Sequence, residues 1–267
     1  MTLAMACTPS FAADPVMEPQ TWTGFYTGVN LGMGYATSDV AYVPNDATTT
    51  GFFEFGFQPP SEDLDRVGML GGLQAGFNWQ IHDHWVVGIE GDFQLTDLDS
   101  SEDGSAEGPP DRGIPQIVTA YAREELDSLG TARVRLGYLA TDNLLIYGTG
   151  GLAFGKVSRN GEFAATAGGG LVQVNPPPTF ICREDVTCFK GSESEWELGW
   201  TAGAGLEYAV SAKWTIGGEY LFSRLPGASI TETALYPVPD TPAASFDAEF
   251  GDLDVQMVRF KLNYRFN

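Results

Sequence analysis

Nine charges carry most of the chemical potential of this 267-residue chain. Glu90, Asp92, Glu207 and Glu219 fall on the same parity of alternating segments as Arg133, Arg135, Arg259, Lys261 and Arg265, four carboxylates against five cations. Buried without partners such groups are costly, so pairing is expected. Two chemistries fit the set: a structural salt-bridge network or a narrow ion path. The network is the expectation, and every other constellation is weaker. The two histidines, His82 and His84, flank one Asp in a short polar segment and lack a matching nucleophile. They read as an ordinary turn rather than a metal site. Ala167-Gly168-Gly169-Gly170 lacks the Lys-Ser/Thr of a phosphate loop. Cys182 and Cys188 have no histidine near them. A small surface disulfide is the reading, with two free thiols as the alternative, and it requires an oxidising compartment. No catalytic set, metal site or cofactor is expected.

Something must hold those charges on one face, and the elements that do so repeat. Three times a Gly-rich alternating run meets a very short polar turn and leaves as a second alternating run. The copies are Gly72–Asp92, Val134–Gly155 and Ala202–Tyr220, turning at His82-Asp83-His84, Thr141-Asp142-Asn143 and near Ser211-Ala212. One strand before them, near Gly24–Thr37, and one after, near Val255–Phe266, make eight. Between hairpins lie long segments rich in Pro, Gly, Ser, Thr and acid, at 38–63, 96–120, 159–195 and 224–254. These read as loops, too long for a compact soluble domain. One rim of short turns and one of long loops predicts an all-β, eight-stranded antiparallel transmembrane barrel with periplasmic turns and extracellular loops. An interior that narrow is filled by side chains.

Period-two alternation also suits a soluble sandwich, and the apolar face separates the two. Trp79, Trp85, Tyr138, Tyr208 and Trp214 cluster on it beside the short turns, as an aromatic girdle at one membrane interface would. The fifth strand is ambiguous, because Leu144 and Ile146 compete with Leu145 and Tyr147 for the outer face. No apolar run reaches the roughly 18 residues of a membrane helix. The net charge of −21 argues against nucleic acid. Most of it sits in the long segments, where scattered carboxylates offer divalent cations weak contacts beside lipopolysaccharide. Ser10-Phe11-Ala12 fits a cleavage site, so residues 1–12 read as a truncated signal-peptide remnant. A lipidated Cys7 is the weaker alternative. Residues 13–23 then form a periplasmic segment, and 24–267 a single barrel domain.

Several stretches resemble the small outer-membrane β-barrels of the alphaproteobacterial porin-like family, of OmpA type. They are Trp-Thr-Gly-Phe-Tyr-Thr-Gly at 22–28, Gly-Phe-Asn-Trp-Gln at 76–80 and Gly-Ile-Glu-Gly-Asp-Phe at 88–93. Leu-Gly-Thr-Ala-Arg-Val-Arg-Leu-Gly-Tyr at 129–138, Tyr-Gly-Thr-Gly-Gly-Leu-Ala-Phe-Gly at 147–155 and Gly-Trp-Thr-Ala-Gly-Ala-Gly-Leu-Glu-Tyr at 199–208 continue the series. Glu-Tyr-Leu at 219–221 and Val-Arg-Phe-Lys-Leu-Asn-Tyr-Arg-Phe at 258–266 complete it. The resemblance covers every expected strand and none of the loops. It implies a Gram-negative outer membrane, lipid and lipopolysaccharide as surroundings, and the barrel assembly machinery as a partner. The family typically ends on the aromatic residue of the assembly signal, whereas here Asn267 follows Phe266. Its members are functionally mixed. The expected role is non-enzymatic, structural in the envelope and exposed at the surface. The alternatives are a small-solute porin or slow channel, and a surface receptor or adhesin for haem or a host ligand acting through the loops.

Overall fold

Alternation along each strand dictates a closed sheet, and a computed structural model of the chain contains one. It describes residues 21–111, 114–167 and 180–266. The expected signal remnant, Cys7 and most of the 13–23 segment lie outside the described residues, as does the glycine run at 168–170.

The strands are β1 (Gly24–Pro44), β2 (Glu62–Ile81), β3 (Trp85–Asp111), β4 (Ile114–Thr141), β5 (Leu144–Ala167), β6 (Val186–Ala209), β7 (Trp214–Leu225), β8 (Ser229–Ala234), β9 (Ser245–Phe250) and β10 (Leu253–Arg265). Neighbours pair antiparallel, and β10 closes the ring against β1, from Tyr26↔Arg265 to Thr37↔Asp254. At the turn end the ring is eight strands: β1 to β7 and β10. Further out β7 and β10 give way to the short β8 and β9, which pair with β6 and β1. The three short turns lie at 82–84, 142–143 and 210–213.

The long segments correct the sequence reading. Much of 96–120, 159–195 and 224–254, and the start of 38–63, is strand rather than loop. β3 and β4 pair from Trp85↔Tyr138 out to Gly108↔Gln116, with a bulge between Leu95 and Leu98. The wall therefore continues beyond the apolar belt by on the order of 30 Å.

The outward faces locate the membrane. Trp79, Trp85, Tyr138, Tyr208 and Trp214 all point outward at the turn end. Trp85 meets Tyr138 edge-on at 5.4 Å, and Trp214 meets Tyr264 at 5.1 Å. At the far edge Trp200 lies 5.3 Å from Phe222, and Phe154 lies 6.3 Å from Trp196. Past that line the outward residues of β5 become Lys156, Ser158, Asn160 and Glu162. The ambiguity in β5 resolves with Ile146 out and Leu145 and Tyr147 in.

Candidate functional site

The chemistry of this molecule lies inside the ring, in layers that follow from which residues alternate inward. On β4 the inward series from the turn end is Arg135, Arg133, Thr131, Leu129, Leu126, Glu124, Ala122, Ala120 and Val118, all buried. Successive stretches of this series enter successive layers.

The innermost layer is a plug. Trp22 enters the turn end of the ring and is buried among Val86, Leu139, Leu145, Tyr147 and Ala209. Its indole N–H donates to the Asp142 carbonyl at 3.0 Å, and its backbone N–H donates to Gln80 Oε1 at 2.9 Å. Arg265 lies over the Trp22 ring, 5.1 Å from its centroid. It donates to the carbonyls of Thr21, Ser211 and Ala212 and makes no ion pair with the described residues. This corrects its expected place in the charge network. Arg265 sits too near the turns to reach the carboxylates, and it satisfies turn backbone instead.

The other eight charges come together in the next layer, and without Arg265 they balance, four against four. Arg133 donates to Asp92 at 2.7 Å and to Glu219 at 3.0 Å, and also reaches Glu90. Arg135 donates to Glu207 at 2.7 Å and to Glu90 at 3.1 Å. Arg259 bridges Asp92 at 2.8 Å and Glu219 at 2.6 Å, with its third contact to Gln94. Lys261 donates to Glu90 at 2.7 Å. Two tyrosines complete the layer. Tyr26 donates to Glu90 at 2.6 Å, and Tyr147 donates to Glu219 at 2.9 Å. The Arg135 guanidinium lies 3.9 Å over the Tyr147 ring. Inward glycines make room for both rings: a Cβ at Gly76 would collide with Tyr26, and one at Gly205 with Tyr147. Carboxylates that accept several charge-assisted bonds recover much of their desolvation cost.

Above this lies an apolar collar of Leu70, Leu98, Leu126, Leu129, Leu225 and Met257 with smaller neighbours. A second ion cluster follows. Glu124 accepts from Arg66 and from Arg159, the latter at 2.8 Å; Arg159 also pairs with Glu197, and Ser38 bonds both Glu124 and Arg66. Two carboxylates meet two guanidiniums here, so this cluster is balanced as well.

The outermost layer is aromatic. The chain between β1 and β2 folds back as a helix α1 (Ala47–Phe52), running into a π-helical turn over Phe53–Phe57. Asp46 caps α1, accepting from the Thr48 and Thr49 N–H groups at 2.9 and 3.0 Å, and it also accepts from Ser245 N–H at 2.8 Å. The cap thus ties α1 to β9. Phe52 stacks on Phe57 at 4.6 Å and meets Phe180 at 5.4 Å, while Phe246 meets Phe163 at 5.5 Å and Phe189 at 5.0 Å. Cys182 and Cys188 are disulfide-bonded with Cα atoms 5.2 Å apart. The bond is buried in this cluster, and Cys188 belongs to β6, which corrects the expected surface loop. His82 and His84 lie in the 82–84 turn, where His84 stacks on Tyr138 at 5.7 Å. Among the described residues no group of three or more His, Cys, Asp or Glu could hold a metal ion.

Sequence reasoning missed Tyr26, Tyr147, Trp22, the Arg66–Glu124–Arg159–Glu197 cluster and the phenylalanine cap. The signal for the cap was the run Phe52-Phe53-Glu54-Phe55-Gly56-Phe57 inside a segment read as loop.

Comparison with known proteins gives a consistent result. The profile described as "Outer membrane protein beta-barrel domain" matches residues 2–266. A 31 kDa outer-membrane immunogenic protein of Brucella melitensis is 31% identical, covering 98% of this chain and 96% of the relative. A 25 kDa outer-membrane immunogenic protein of Brucella abortus is 25% identical, covering 96% and 91%. Among solved structures, the attachment invasion locus protein Ail of Yersinia pestis aligns with a TM-score of 0.35 at 15% identity, covering 91% of this chain and 99% of that one.

Proposed function

The chain belongs to the outer membrane protein β-barrel domain family and resides in the outer membrane, and from that premise we propose that it is a sealed, non-conducting and non-enzymatic barrel. Its role is structural in the envelope, and its tall outer wall stands among lipopolysaccharide at the cell surface. The observation that carries this reading is the filled interior. Trp22, the eight-charge layer, the collar, the second ion cluster and the phenylalanine cap succeed one another along the lumen. An ion crossing it would have to displace two balanced networks and three apolar layers. The non-enzymatic part rests on chemistry: the carboxylates of both ion clusters are engaged by guanidinium and ammonium groups, and the sequence sets no Ser or Cys beside either histidine. The test is single-channel recording of the refolded protein in a planar bilayer. A baseline without stable openings is expected. Long, large openings would overturn the sealed reading and favour a porin.

A further inference from the structure

The barrel wall has a seam between β2 and β3. β2 and β3 pair from Ile81↔Trp85 only as far as Leu70↔Thr96. β2 then continues to Glu62 against β1 alone, and β3 continues outward against β4 alone. Ser100 Oγ, donating to the Asp65 carbonyl at 3.2 Å, is the last hydrogen bond between them. An antiparallel strand directs its backbone groups alternately to each side. Over Ser101–Gly108 the groups turned away from β4 therefore have no ladder partner among the described residues.

The chain that passes this edge cannot close it. It runs Gln58-Pro59-Pro60-Ser61, and two successive prolines supply no N–H donor. Phe57 packs against Gly108, and Pro60 and Glu62 pack against Gly104. The inner side of the edge is covered at Gly104 and Gly108, while Glu102 and, on the outward parity, Ser101, Asp103, Ser105 and Glu107 are exposed.

Charge defines what the edge would accept. Asp99 is held by Arg123 at 2.8 Å, but Glu102, Asp103 and Glu107 make no ion pair with the described residues. A groove of about 520 Å³ opens on the adjoining outer face, where the half-exposed Tyr121 lies among Glu102, Asp103, Asn160, Glu162 and Arg123. Arg123 is taken up by Asp99 and Glu125, and Glu162 by Lys190, so Glu102 and Asp103 are the uncommitted charges there. An aromatic face beside two uncommitted carboxylates suits the stem and head of a long cationic side chain. Two copies meeting edge to edge would set these acids against one another, so a second copy is a poor occupant.

The geometry points to a docking site for an extended, Lys/Arg-alternating segment of another protein, added as a strand along Ser101–Gly108. Main-chain bonds to the open edge would supply affinity, and alternate cations over Asp103, Glu107 and Tyr121 would supply selectivity. The inference goes beyond the sealed-barrel reading and stands whether or not the lumen conducts.

The experiment uses the whole protein refolded in lipid nanodiscs. The probes are a synthetic alternating Lys–Thr peptide, the same peptide N-methylated at alternate amides, and an alternating Glu–Thr peptide. Binding is read by fluorescence anisotropy, and its place by amide hydrogen exchange. The Lys–Thr peptide is expected to bind and to slow exchange within Ser101–Gly108, and the Glu–Thr peptide is expected not to bind. N-methylation, which keeps the charge and removes the donors, should weaken binding by about tenfold or more. Asp103→Lys with Glu107→Lys should weaken the Lys–Thr peptide similarly. Equal binding of the methylated peptide, or protection elsewhere, would overturn strand addition in favour of diffuse charge attraction. No binding at all would mean that the acids only keep the edge solitary. If the double variant fails to show the gel shift of folded protein, the methylated probe on the unaltered chain decides alone.

Discussion

The two halves of this barrel fill their interiors with opposite chemistry although the same strands run through both. Around Arg133 and Arg135 the strands face lipid outward and carry charge inward. Around Ala120 and Ala122 the same strand β4 carries Tyr121 and Arg123 outward and packs small apolar groups against phenylalanines inward. The inward series of β4 passes from odd to even numbers across Ser128 and Leu126, where β4 pairs β5 with a shifted register, and beyond Glu124 it is wholly apolar. The solvent explains the inversion. In the membrane the outer face must be apolar, so the charges go inside and must be paired. Beyond the membrane water solvates the outer face, and past the Glu124 ion cluster the interior becomes a hydrophobic core.

The strongest way to break this comparison is to remove one charge from the membrane half. Arg133 serves Glu90, Asp92 and Glu219. Arg133→Leu leaves the central layer one cation short, and a cost of about 3–5 kcal/mol is expected. Urea titration of folding in lipid vesicles, followed by the gel shift of unboiled samples, measures it. An unchanged midpoint would mean that water, not Arg133, balances these acids.

The outward face gives the next largest contrast. Leu206→Arg places a cation on the lipid face of β6 and should cost about 2–4 kcal/mol near the midplane. Asn160→Arg, outward on β5 past the belt, should stay within about 0.5 kcal/mol. Equal penalties in the same vesicle assay would remove the boundary drawn at Phe154 and Trp196.

The same inversion decides what the sequence made legible. The hairpins around His82, Asp142 and Ser211 were readable because the membrane imposes one sign on the alternation, and Glu90, Arg133 and Lys261 stand out against apolar neighbours. The outer half carries the reverse sign in residues of low strand propensity. Asp99-Ser100-Ser101-Glu102-Asp103-Gly104-Ser105 reads as loop, yet tertiary context makes it strand by pairing it with β4. Tyr26 and Tyr147 escaped notice because a tyrosine's parity does not announce whether its hydroxyl meets lipid headgroups or a carboxylate. Arg265 shared the parity of the lumen charges, but parity says nothing of depth.

The disulfide sharpens the comparison further, because it belongs to one half only. Cys182–Cys188 closes a short ring within the phenylalanine cap. Its removal by Cys182→Ser with Cys188→Ser should cost the cap about 2–3 kcal/mol. Hydrogen exchange should quicken at Phe180–Phe189 and leave the central strands unchanged. Loss of the gel shift instead would mean that the two halves fold as one cooperative unit.

The smallest expected effect is a pH dependence confined to the cap. Glu232 on β8 is fully buried, and among the described residues neither of its carboxylate oxygens has a hydrogen-bond partner. Burial, and to a smaller degree the charge of Glu162, pushes its carboxyl from 4.5 up to about 8. The closed cap therefore holds Glu232 protonated at neutral pH, while an opened cap would ionise it. A carboxyl raised in the closed state costs nothing below about pH 4.5. It then withdraws stability steadily as pH climbs to about 8, and no further above that. Local exchange of the Phe246 and Ile230 amides should quicken across that window. Glu232→Gln should flatten the profile and stabilise the cap by roughly 1–3 kcal/mol at its alkaline end. The membrane half has its carboxylates compensated by cations, so exchange at Glu90 and Glu219 should not follow this window. A cap whose exchange, corrected for intrinsic chemistry, is level from pH 5 to pH 9 would mean that Glu232 reaches water or a cation as it ionises.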